Sequence, residues 1–417
     1  MIKRYLPVLF IMLAYYAAVF LCTADFPIND DYDILKSVTD YGMAASPSEK
    51  IKILYAWHNE HRIAFIRLIF IAQSRIANTV GFREVALIGN LAVLGIFSIF
   101  AGYISRNKPC DGKCLHISVF IIACLLFQYG FAGASLWAMG SISAFFGVLF
   151  CLVAILCFCG TGRGVFLAGI CASVLAVSVS GQGIIVYPIG LTRLFFRKKR
   201  IEFLILLFIF IAVICLYFQG YKSDVLHSNP FDLAGVFRNM PRILIYIPAF
   251  LGSAFGIGNP AYPVVTAIFL SVTALIGVLV IVFWMYLTYK RYYMSDEYLY
   301  WFGVYIIISA LAAALTRIPY GLWQALSSRY HVSSVVILIS GGLLVLKMAK
   351  DKCFDISAAA FKKGAILSAV YLALTVPVFL YYFLVYYAPA RKGEIIYPDK
   401  ARAEGILGEA RLSGLMR

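Results

Sequence analysis

The stretch "IAFIRLIFIAQSRIANTVG", residues 63–81, decides how this chain is threaded. It is apolar enough to suggest a membrane span, yet it carries Arg67 and Arg75. Each arginine costs about 2.5–3.5 kcal/mol at a bilayer centre. If the stretch spans, the basic loop "SRNKPCDGK" (105–113) that follows the next apolar run faces outside. That placement opposes the preference of Lys and Arg for the cytoplasmic side. If the stretch instead lies along the outer surface, the run 84–104 enters the membrane and the basic loop falls inside. We therefore expect a surface helix in the first outer loop.

The rest of the chain sets the frame for that choice. Its 417 residues are 62% hydrophobic and 13% charged, against about 25% charged in a soluble domain. The apolar residues come in runs, among them 5–22, 203–218, 263–287 and 366–387, each near or above the ~20 residues that cross a bilayer. The first run lacks a small-residue cleavage site, since "CTADFPIND" follows it, so it reads as an uncleaved anchor. The formal charge of +16 comes from 36 Lys and Arg against 20 Asp and Glu. These cations sit beside the apolar runs, as in "RLFFRKKR" (193–200), and so report topology rather than a nucleic-acid partner. Most of the cysteines lie in apolar runs as small hydrophobes, and Cys110 and Cys114 lack the second ligand pair of a zinc site.

Alternation then gives an all-α polytopic integral membrane protein with about 9–11 transmembrane helices. The N-terminus is cytoplasmic, the outer loops are 24–83, 219–261 and 316–330, and the tail 388–417 is outside. Within the second outer loop, the apolar stretch 243–257 is expected to dip into the interface. Two short stretches around "SVSGQG" (178–183) make 165–196 either a re-entrant hairpin or a pair of short spans.

The polar residues concentrate on the outer side. Asp30 and Asp31 stand at the mouth of the first span. A carboxylate there serves as a general base or as a metal ligand, and adjacent side chains diverge, so at most one meets a given substrate. The competing assignment is a helix cap, with Asn29 or Asp30 starting a helix through "YDILKSV". In "WHNEHR" (57–62), His58 and His61 are three apart and have no obvious third ligand, which argues against catalytic zinc. Glu60 suits hydroxyl recognition, and Arg62 suits phosphate. Arg67 falls within about 40° of the Arg62 face if both lie on one helix, while Arg75 reads as a snorkelling side chain. Arg329 and Tyr330 open a late span at the depth of lipid phosphates, where interfacial anchors also sit, and Trp137, Tyr320 and Trp323 read as belt aromatics.

The acidic pair after the first span, the surface helix before the second and the many spans resemble the GT-C class of membrane glycosyltransferases. Within it, "DDYD", "NEHR", "SVSGQG" and "SSRY", in that order, resemble the phage-encoded serotype-converting O-antigen glucosyltransferases. The resemblance implies a GT-C-like transmembrane glycosyltransferase domain over 1–387 and a periplasmic tail over 388–417, in the bacterial inner membrane. It implies undecaprenyl phosphate glucose as donor, O-antigen polysaccharide as acceptor and membrane lipids as surroundings. Metal dependence varies across the class, and because the acidic pair here is not a clean D-x-D no cofactor or required metal is expected. By position, Asp30 or Asp31 becomes the base, with Glu60 beside it. Arg62, Arg67 and His61 fall at the substrate pocket, and Arg329 with Tyr330 holds the donor phosphate. Inverting attack on a β-linked donor then gives an α-linked product. A lipid-borne donor also accounts for the lack of a nucleotide motif such as G-x-x-x-x-G-K-[ST]. Two other classes stay open. An O-antigen polymerase would rely on arginines in the outer loops, and a transporter or flippase would need ionisable groups at mid-span.

Overall fold

The computed structural model describes residues 5–108, 112–221, 233–351, 357–397 and 399–416. The expectations for Cys110, and for the polar residues Lys222, Asp224, His227 and Asp232 of the second outer loop, lie outside them. After α1 (Leu6–Cys22), the chain makes α2 (Asp31–Met43), α3 (Pro47–Tyr55), a small hairpin of β1 (Trp57–His58) and β2 (His61–Arg62), and α4 (Ala64–Ala77). The remaining helices are α5 (Phe82–Asn107), α6 (Cys114–Ser135), α7 (Ala138–Cys159), α8 (Arg163–Val179), α9 (Val186–Phe196), α10 (Arg200–Phe218), α11 (Met240–Leu251), α12 (Pro263–Tyr289), α13 (Glu297–Tyr320), α14 (Ser328–Lys350), α15 (Ala359–Arg391) and α16 (Lys400–Leu412).

Among the described residues, eight of these helices are long and apolar enough to cross a membrane: α5, α6, α7, α10, α12, α13, α14 and α15. The chain is an all-α polytopic membrane protein. The apolar helices α1 and α8, of 17 residues each and so about 25 Å long, are shorter than these eight. The decisive stretch forms α4, whose 14 residues reach only about 21 Å, short of a ~30 Å hydrocarbon core. Its two faces differ. Ile66, Arg67, Phe70 and Ile71 are buried, whereas Leu68, Arg75 and Ile76 are exposed.

The core forms around α6 and α14, whose most apolar segments are 67% and 61% buried. By contrast α10, α12 and α15 bury only 11%, 22% and 17% of theirs and form the lipid-facing rim. In hydrocarbon, packing and interhelical hydrogen bonds replace the hydrophobic drive between helices. Asn90 supplies one such knot. Its amide donates to the carbonyls of Ala86 (2.7 Å) and Ser135 (2.8 Å), and its oxygen accepts from the Tyr15 hydroxyl at 2.5 Å.

The stretch expected to dip into the interface is embedded instead. Helix α11 runs antiparallel along the middle of α12, with Pro248 against Gly277 and Gly252 against Thr273. A Cβ on Gly277 would lie 1.8 Å from the Pro248 carbonyl oxygen. Gly277→Val is therefore expected to lower the thermal stability of the solubilised protein by at least about 1–3 kcal/mol, the usual range for overpacking. Gly102→Ala, where a Cβ meets nothing within 4 Å, should leave the melting curve unmoved or shift it slightly upward.

The connecting segments sort to two ends. At one end Asp296 takes the Tyr103 hydroxyl and, at 3.0 Å, Lys347, while Glu297 pairs with Arg193 (2.5 Å) and Arg197 (2.6 Å). Lys350 donates to the carbonyls of Asn107 and Lys108. These are the segments that the positive-inside preference leads one to expect on the cytoplasmic side. The first loop, the 180–183 turn, the C-terminal end of α10 and residues 317–330 meet at the other end. The tail folds back there too. Asn29 N donates to the Ile396 carbonyl at 2.9 Å, Arg402 pairs with Asp33, and α16 packs on α2.

Candidate functional site

"WHNEHR" folds as a tight hairpin, with His58 opposite His61 and Trp57 opposite Arg62. The turn needs a left-handed residue, and Asn59 supplies it at φ 49°, a conformation Asn tolerates better than most residues. Arg62 therefore lies on a strand and not on the face of α4. Its guanidinium sits 4.6 Å over the Trp57 ring, and Nε donates to the Tyr217 carbonyl at 2.7 Å. The terminal nitrogens donate to the carbonyls of Tyr55 and Gln219. Arg62 is thus spent tying the hairpin to the end of α10, and the expected phosphate contact is corrected.

Arg67 has a similar fate. It is 3% exposed and donates to the carbonyls of Leu54 (3.0 Å) and Ala56 (2.6 Å), closing the end of α3. It neither snorkels nor reaches a substrate. Arg67→Met should strand these carbonyls and lower stability by about 1.5–3 kcal/mol, the range for hydrogen bonds to charged groups. The check is a melting curve, with per-molecule activity of the folded fraction unchanged.

The acidic pair divides. Asp31 is 1% exposed, and its carboxylate accepts from Met139 N at 2.9 Å and from Ile28 N at 3.3 Å. It braces the first loop against the start of α7. Burial pushes its carboxyl up to about 8, against the opposing pull of the two N–H bonds. An acid with a raised folded value holds its proton more tightly when folded, so between its ordinary value and about 8 folding weakens as pH rises. The stability of the wild type relative to Asp31→Asn should accordingly decline across that window, read as the difference between two melting temperatures. Asp30 occupies the N-cap position of α2 but makes no capping bond. Its carboxylate faces a cavity instead, 37% exposed and 3.7 Å from the Nε2 of buried His58.

That cavity, of about 560 Å³, has two kinds of wall. One is polar and charged: Asp30, His58, Glu60, His61, Arg317 and Arg329. The other is small and apolar, and includes Ala144, Gly147, Val148, Ala176, Val179, Ala312 and Ala313. The 180–183 turn closes on α8 only because residue 183 is glycine: a Cβ there would sit 2.3 Å from the Ala176 carbonyl carbon. A second cavity, of about 580 Å³ between α12 and α15, has no charged residue in its wall.

Glu60, at the hairpin tip, is not a free base. Its Oε2 takes Arg317 at 2.7 Å, fastening the hairpin to the end of α13. Arg329 donates to the Gln324 amide oxygen at 3.2 Å and pairs with no acidic side chain among the described residues. Its charge is left for the cavity. Tyr330 packs its ring 4.6 Å from that of Phe250 and lines the same wall. His61 is half-buried with its Nδ1 enclosed, and the desolvation, together with the charges of Arg317 and Arg329, pushes its imidazole down to about 3, so it is neutral at physiological pH. Trp137, read as a belt aromatic, also lines the cavity.

Residues that the sequence did not single out include Arg317 and Tyr217. Asp30, Asp33 and His58 bring ligand atoms within 4.8 Å of one another, the arrangement among the described residues best able to hold a divalent cation. Asp33 is, however, already engaged by Arg402 and the Tyr397 hydroxyl. Set against known protein families, curated proteins and solved structures, the chain matches none of them, so the reading of this site rests on its own residues.

Proposed function

We propose that this protein is a GT-C-like glycosyltransferase that moves a glucosyl residue from undecaprenyl phosphate glucose to O-antigen polysaccharide at the periplasmic face of the bacterial inner membrane. The observation that carries the proposal is the shape of the charged cavity. Its wall combines two guanidinium groups and other polar side chains with a set of small and apolar residues, which suits an amphiphile with an anionic head and a hydrocarbon tail. Its volume falls in the usual range of small-molecule pockets, about 300–1,000 Å³.

In this reading Asp30 accepts the proton of the acceptor hydroxyl as its oxygen attacks the anomeric carbon. The bond from that carbon to the phosphate oxygen breaks on the opposite side, giving inversion. The charge gathering on the leaving phosphate meets Arg329, with Arg317 held beside it by Glu60. Asp31 plays no part in the chemistry, and no step calls for a metal.

The test is transfer by the purified full chain in proteoliposomes, with undecaprenyl phosphate glucose labelled in the sugar and O-antigen as acceptor. Label entering the polysaccharide, with release of undecaprenyl phosphate, is the expected result. Polysaccharide that grows in chain length with no label entering would instead identify a polymerase.

A further inference from the structure

Between the hairpin and the 180–183 turn, two buried polar atoms have no partner: His61 Nδ1 and the Tyr217 hydroxyl. Leaving such a group unsatisfied costs about 1–3 kcal/mol, so finding two side by side calls for an explanation. Both converge on Gly181, where a Cβ would lie 2.7 Å from the Tyr217 oxygen and 3.2 Å from His61 Nδ1. Gly181 is not among the residues with positive φ, so its backbone does not require glycine. What the missing side chain provides is space, and that space opens on the charged cavity.

The chemistry of the gap is neutral. A neutral imidazole offers one donor and one acceptor, and a phenol offers both. An anion has a better partner in Arg329 nearby. Aromatic rings line the same cavity: Phe218 and Tyr221 have ring centroids 5.8 Å apart, and Phe218 packs edge to face on Tyr217 at 5.2 Å. Hydrogen-bonding groups beside ring faces match a pyranose, which carries hydroxyls at its edge and C–H bonds on its face.

We propose that His61, Tyr217 and Gly181 form a subsite for a neutral, hydroxyl-bearing sugar ring, separate from the guanidinium pair that meets the phosphate. This deepens the transfer reading and rests on it for the source of the sugar, which is either the donor's glucose or a residue of the acceptor.

Binding to the full chain in nanodiscs tests it, with three probes: methyl glucopyranoside, undecaprenyl phosphate glucose and undecaprenyl phosphate without sugar. Tyr217→Phe keeps the ring and removes the hydroxyl, while Gly181→Ala fills the gap. Both should weaken a sugar-bearing probe about tenfold, the loss expected from one unpaired buried hydrogen bond, and leave undecaprenyl phosphate unchanged. A loss confined to the methyl glycoside assigns the subsite to the acceptor. A loss confined to undecaprenyl phosphate glucose assigns it to the donor, and either supports the proposal. Arg329→Gln should show the reverse pattern, weakening the sugar-free lipid and sparing the methyl glycoside. Sugar binding that is absent in the wild type, or unchanged in both folded variants, would overturn the subsite. Sugar binding that behaves as expected without any transfer in proteoliposomes would sink the transfer reading alone.

Discussion

Asp30→Asn is expected to lower the rate of sugar transfer by about 10²–10⁴-fold, the usual contribution of a general base, without unfolding the protein. The expectation follows from what the carboxylate does not do. It makes no capping bond, although it stands at the N-cap of α2, and its carboxylate lies 3.7 Å from His58 Nε2 and within 4.8 Å of an Asp33 oxygen. Replacing it with the isosteric amide removes the proton acceptor and little else. Asp31→Asn is the matched control. Its amide oxygen can still accept from Met139 N, and its side chain is not in the cavity wall. Transfer by the folded Asp31→Asn protein should stay within about tenfold of wild type, the loss from one weakened hydrogen bond. Equal losses in the two variants would mean that the first loop is being distorted and that Asp30 has no private role.

Arg329→Gln is expected to cost about 10²–10³-fold in turnover, the effect of removing one preorganised group from a developing negative charge. Glutamine keeps length and hydrogen bonding but lacks the charge. Arg329→Lys should recover part of the loss, because a point charge remains while the planar fork is gone. The contrast with Arg62 and Arg67 sharpens the point. All three lie at one end of the bundle, but Arg62 and Arg67 donate to backbone carbonyls. Arg329 donates to the Gln324 amide oxygen and lies 5.0 Å over the Tyr330 ring, with no backbone carbonyl among its described partners. A rate unaffected by Arg329→Gln would remove the proposed phosphate contact.

The sequence makes the membrane architecture plain because apolar runs of span length have no other use in a chain this poor in charge. The two arginines of 63–81 likewise forecast a helix that does not cross, and α4 is too short to do so. The site was legible only in outline. "DDYD", "NEHR", "SVSGQG" and "SSRY" all send residues to one end of the bundle, and most of them reach one cavity. What each residue does there was hidden, for a physical reason: an arginine's role depends on which acceptors lie around it. Nothing near Arg62 in sequence reveals that the carbonyls of Tyr217 and Gln219, about 155 positions on, need donors. Asp33 and Arg402 meet only because the tail folds back over the first loop. Tyr217 ends an apolar helix, where an aromatic belt residue would look the same in sequence. Its unpartnered hydroxyl and the gap at Gly181 appear only in three dimensions.

The most direct test of the central claim is linkage and mass analysis of surface polysaccharide from cells carrying the wild-type chain, the Asp30→Asn chain, or neither. We expect an added glucosyl branch with the wild type alone. The same branch with Asp30→Asn, or an unchanged sugar composition with altered chain length, would contradict the assignment of this cavity to glucosyl transfer.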